Sequence, residues 1–106
     1  MPTYLVTYHG GGEMPSAPQA RQQMAAAFGA WAARVGSAML DRGAPLGPAK
    51  TISGDRLSDG QTAATVSGYT VLRADNLDAA VELLRTHPFL TRGGSLQVSE
   101  ALDLGG

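Results

Sequence analysis

Few side chains in this 106-residue chain could exchange protons, and they are scattered. His9 closes a β-rich run and is followed by Gly10-Gly11-Gly12. Loops at such strand ends commonly shape pockets, and imidazole is the side chain that titrates near neutrality. Asp41, in Asp41-Arg42-Gly43, reads as the last turn of a long helix, where a carboxylate faces the negative end of the dipole at a cost of about 0.3 to 1 kcal/mol. That cost asks for a local partner (Ser37, Arg34 or Arg42) or for a use in chemistry. His9 and Asp41 are therefore the candidate catalytic residues. His87, just before Pro88, reads as structural, a cationic ring meeting the free carbonyls of a helix C-terminus. Tyr8, Tyr69 and Trp31 could line a cavity, although rings on strands and on an apolar helix face are more often core.

Two histidines cannot make a three-histidine metal centre within one chain, and the absence of cysteine removes thiolate sites and disulfides. The glycine pairs lack both the P-loop Lys-Ser/Thr and the dinucleotide-binding spacing, so they read as turns. No cofactor and no metal is expected.

These residues must be held by strands and helices that the pattern outlines. Residues 3 to 9 form a first strand stopped by glycines. A helix begins near Pro18 or Gln19; Met24, Phe28, Trp31, Val35 and Met39 recur at helical spacing on one face, and the helix is expected to run to Asp41 with Gly43 as its terminator. Beside that face runs a stripe of small residues, Ala25, Gly29, Ala32 and Gly36, where another backbone could approach. Residues 49 to 53 form a weaker second strand, and residues 54 to 61 a hairpin connection or loop. Ser67 to Arg73 is the third strand. Asp75 or Asn76 caps a second helix with Leu77, Ala80, Val81 and Leu84 on its apolar face, ended by His87-Pro88. Leu96 to Glu100 alternates as a fourth strand.

The order β-α-β-β-α-β predicts one α+β domain over residues 1–106, ferredoxin-like, with a four-stranded antiparallel sheet and both helices on one face. The first strand carries large apolar groups on both faces, Tyr4, Val6 and Tyr8 against Leu5. The uncovered face would be an apolar patch, and a homodimer pairing sheet to sheet is expected. A formal net charge of −1 lacks the basic excess of a nucleic-acid-binding surface. No stretch approaches the roughly 18 apolar residues that span a bilayer, and the first residues lack a signal peptide's pattern. A cytoplasmic protein without nucleic-acid or membrane partners is the expectation.

The run from Gly68 to Val81, His87-Pro88-Phe89-Leu90 and Gly93 to Val98, together with the aromatic helix and residues 41 to 48, resembles the YCII-related, or DGPF-domain, family. That resemblance implies a dimeric α+β barrel. The enzyme-like members use a histidine on the first helix with an aspartate near its end. Asp41 matches the aspartate, Ala32 stands at the histidine position, and Ser58-Asp59-Gly60-Gln61 occupies the region of the eponymous tetrapeptide.

Two functions follow as expectations. One is a dimeric module binding a small molecule in a cleft between sheet and helix. The other is a cofactor-independent enzyme performing proton transfer or elimination on a small compound, aromatic ones included, and it requires Asp41 and His9 to meet around a pocket.

Overall fold

The structure is a computed structural model describing residues 1–11, 15–60 and 66–104. Gly12 and Gln61, which the sequence reading places in turns, lie outside the described residues. Strand β1 (Thr3–Gly10) leads to helix α1 (Pro18–Val35), a 3₁₀ turn (Gly36–Ala38) and strand β2 (Met39–Pro45). Strands β3 (Lys50–Ser53) and β4 (Arg56–Asp59) come next, then β5 (Gly68–Arg73), α2 (Leu77–Leu84), a second 3₁₀ turn (Pro88–Arg92) and β6 (Gly94–Ala101). The main sheet has the order β2-β5-β1-β6 and every neighbouring pair is antiparallel, as expected for this α+β class. No helix among the described residues is long and apolar enough to cross a membrane.

Helix α1 ends earlier than its apolar period suggests. Gly36, at φ 62°, closes it through a backbone bond from its N–H to Ala32 O. Met39 still reaches the same core because it enters β2 opposite Leu72, so a strand residue prolongs the stripe drawn by Met24, Phe28, Trp31 and Val35. Asp41 is accordingly on a strand, not in a helix's last turn, and the dipole penalty assigned to it does not apply. Nor is the small-residue stripe approached by another backbone at Gly29, where an added Cβ would meet open space.

The second strand of the sheet is also reassigned. Residues 50–53 pair only with β4, in a separate two-stranded hairpin, and residues 39–45 take their place beside β5. Pro45 is tolerated because β2 is an edge strand, where a missing N–H leaves no ladder bond unmade.

The core lies between the helices and one sheet face. Val6, Trp31, Leu72 and Leu84 are buried in one cluster, and Tyr4, Ala74 and Ala80 in a second. Trp31 is fully buried, and its indole N–H donates to Leu83 O at 2.9 Å, fastening α1 to the end of α2. Asn76 caps α2 by accepting from Ala79 N–H at 2.8 Å. The opposite sheet face carries Leu5, Thr7, Tyr69 and Val71 in register, and Leu5 is 41% exposed.

Candidate functional site

Three side chains from three elements form a hydrogen-bonded chain beneath α1. His87 follows α2, and its buried ring faces Trp31 at 4.3 Å and Tyr8 at 5.0 Å between centroids. Its Nδ1 accepts from Phe89 N–H at 3.0 Å, capping the second 3₁₀ turn. With Nδ1 accepting, the neutral ring carries its hydrogen on Nε2, which donates to Tyr8 Oη at 2.7 Å. Thr70 Oγ1 donates to Arg42 O at 3.0 Å, so the 2.6 Å contact between Tyr8 and Thr70 has the phenol as donor. The direction is therefore settled: His87 to Tyr8 to Thr70 to the Arg42 carbonyl.

Burial sets the protonation states along this chain. Desolvation pulls the His87 pKa down to about 4. It raises that of the Tyr8 phenol, and the Thr70 hydrogen bond partly offsets the rise. Both groups are neutral at pH 7. The cationic ring expected at His87 is replaced by a neutral, buried one because α2 and its neighbours leave it almost no water.

The Tyr8 phenol opens onto a cleft of about 990 Å³ between α1, β2 and the turn after α2, within the size range of small-molecule sites. Phe28 and Phe89 supply aromatic walls, and Met24, Pro45 and Leu46 aliphatic ones. Phe89 packs so closely on Gly11 that a Cβ there would lie 2.6 Å from its ring, which explains a glycine beside the cleft.

A bulge in β2 positions the cleft's edge. Asp41 pairs with Val71 and Ala44 with Tyr69, so Arg42 and Gly43 together stand opposite Thr70. Gly43 has φ 72°, and a Cβ on it would overlap the Tyr69 carbonyl oxygen, so no other residue fits without displacing the strand. Asp41 Oδ1 accepts from Gly43 N–H at 2.8 Å, steadying the bulge. The bulge turns Arg42 towards the helices, where its guanidinium lies 5.1 Å from the Phe28 ring centroid.

The structure does not bring the two sequence candidates together. Asp41 lies opposite Val71, on the sheet face away from the helices. His9 lies on that same face, with Nε2 2.8 Å from Thr7 Oγ1. They are two strands and four residues apart, roughly 15 Å. Neither lines the cleft. The residues that do mark it, Tyr8 and His87, read in sequence as a core ring and a helix end; only the mutual spacing of three distant segments reveals them.

No family model matches the chain, and no curated protein matches it. Among solved structures it is similar to 5-chloro-2-hydroxyhydroquinone dehydrochlorinase of Burkholderia phenoliruptrix AC1100, solved in complex with 2,5-dihydroxybenzoquinone. The TM-score is 0.57 over 94% of this chain and 93% of that one, at 18% identity. The fold is that of the dimeric α+β barrels. At this identity the likeness carries the fold alone.

Proposed function

We propose that this protein is a YCII-related module that binds a small, planar, aromatic compound in the cleft between α1 and β2. The observation that carries the reading is the directed hydrogen-bond chain at the cleft's floor. Tyr8 Oη accepts from His87 and donates to Thr70, so its one remaining capacity is an acceptor lone pair, suited to a ligand hydroxyl. Phe28, half-buried in the cleft wall, gives a flat ring an aromatic surface to pack on. That the structural neighbour was solved with 2,5-dihydroxybenzoquinone, a flat hydroxylated ring, supports the same ligand class.

The chain favours binding over catalysis for a stated reason. It ends on the Arg42 carbonyl, which accepts a hydrogen bond but cannot hold a proton at neutral pH, and His87 Nδ1 is already occupied. A proton arriving at Tyr8 has nowhere to go. The enzymatic alternative, acid–base chemistry by His9 and Asp41, belongs to the other sheet face and needs a second copy of the chain to close a site there.

Isothermal titration with hydroquinone tests the binding reading. Saturable binding is expected, absent for the non-planar 1,4-cyclohexanediol and weakened by roughly three- to tenfold in Tyr8→Phe, which removes one hydrogen bond. Equal binding of the planar and non-planar diols would overturn it.

A further inference from the structure

The described residues lining the cleft include three arginines, Arg21, Arg42 and Arg92, and no aspartate or glutamate. Two of these guanidinium groups are held by neutral partners, Arg21 Nε donating to Pro15 O at 2.7 Å and Arg42 standing over Phe28; Arg92 donates to Gly11 O at 3.0 Å and stands over Phe89. Neither of the two ion pairs among the described residues involves Arg21 or Arg42. Carbonyls and ring faces orient a guanidinium while leaving its charge uncompensated.

Arg42 is the best placed of the three. Its backbone is fixed at both ends of the bulge, by Thr70 on its carbonyl and by the Asp41–Gly43 turn beside it. Its side chain is steadied on Phe28, whose ring also stands 5.7 Å from that of His87. The Arg42 guanidinium and the Tyr8–His87 pair thus both lie beside Phe28, along the same cleft.

We propose that the cleft selects an anionic aromatic ligand, a ring bearing a carboxylate or an ionised hydroxyl, and that Arg42 recognises the negative group. This rests on the binding reading above and adds to it the charge of the ligand and the residue that reads it. A planar guanidinium meets a carboxylate through two parallel N–H bonds, and partial enclosure by apolar walls strengthens that pairing.

The test compares 2,5-dihydroxybenzoate with its neutral counterpart 2,5-dihydroxybenzamide by isothermal titration, on the full chain and on Arg42→Gln. The benzoate is expected to bind roughly tenfold more tightly than the amide, as a charge-assisted pair does over a neutral one. The preference should shrink as salt is raised. In Arg42→Gln it should vanish while the amide still binds, with an unchanged circular dichroism spectrum. Amide binding equal to or tighter than the benzoate, or a preference that survives in Arg42→Gln, would overturn the assignment and leave aromatic binding standing. If neither compound binds, the binding reading and the assignment fall together.

Discussion

At the scale of single residues, His87 couples the site to pH through its burial. Its folded pKa is pulled down to about 4, whereas an unperturbed histidine titrates near 6.5. Between these values the unfolded chain takes up a proton that the folded ring refuses. The stabilisation is therefore complete above about pH 6.5 and is lost as the pH falls towards 4, a loss on the order of 2 to 3 kcal/mol. Urea midpoints measured across that window should fall accordingly, and His87→Asn should flatten the dependence. A midpoint equally insensitive in both proteins would mean that the ring protonates as readily folded as unfolded. Asp41 and Gly43 give a second prediction. Asp41→Asn keeps an oxygen that can accept from Gly43 N–H and should change stability by less than about 0.5 kcal/mol, while Asp41→Ala should cost about 1 kcal/mol. Gly43→Ala must add a Cβ against the Tyr69 carbonyl at positive φ and should cost more than about 2 kcal/mol. If denaturant titration ranked Asp41→Asn as the worst of the three, the carboxylate's charge, and not its shape, would be what matters there.

At the scale of elements, the two helices are held to each other and to the sheet by one large side chain. Trp31 is fully buried, belongs to the principal core cluster, stacks near Phe28 and His87 and bonds to the end of α2. Trp31→Ala should cost about 3 to 5 kcal/mol, since it opens a cavity and leaves the Leu83 carbonyl without this partner. The same change removes one wall of the His87 pocket, so hydroquinone binding should weaken in molecules that remain folded. A stability loss below roughly 1 kcal/mol would contradict the packing described. By contrast, β3 and β4 touch no core. Ile52 and Leu57 face each other across that hairpin at 74% and 62% exposure, which makes it the least protected element.

At the scale of the whole molecule, the radius of gyration is 15.2 Å, against about 13 Å for a compact chain of this length. A hairpin outside the main sheet and a sheet with helices on one face only are consistent with that excess. The open face presents Leu5, Val71 and Tyr69 in adjacent register, and a second copy laid against it would bury them. Light scattering at micromolar concentration is expected to give twice the mass of one chain. Leu5→Glu, on that face and outside both core clusters, should shift the mass to that of a monomer while the helical dichroism persists. A wild-type monomer with a native spectrum would remove the homodimer proposal and, with it, any site shared by His9 and Asp41.

Much of this architecture was legible along the chain because its signals are local. Thr3 to His9 is dense in β-formers, Met24 to Val35 keeps a helical period, Asn76 is a capping residue and Leu96 to Glu100 alternates, and each reports its own conformation within a few residues. Strand β2 was hidden because Met39-Leu40-Asp41-Arg42-Gly43-Ala44-Pro45 has weak β propensity and its first residue falls in phase with the preceding helix. Pairing with β5 overrides both, since a bulge around Gly43 and an edge position for Pro45 are gains available only once the sheet exists. The site was hidden for the same physical reason. Nothing near Tyr8 in sequence distinguishes it from a core tyrosine, and nothing near His87 says that its ring is dry. Their chemistry arises when β1, β5 and the turn after α2 converge, bringing residues 62 and 79 positions apart within hydrogen-bond distance. Local propensity could determine the elements, but protonation state, bond direction and the charge of the cleft depend on what surrounds each group, and only the tertiary structure decides that.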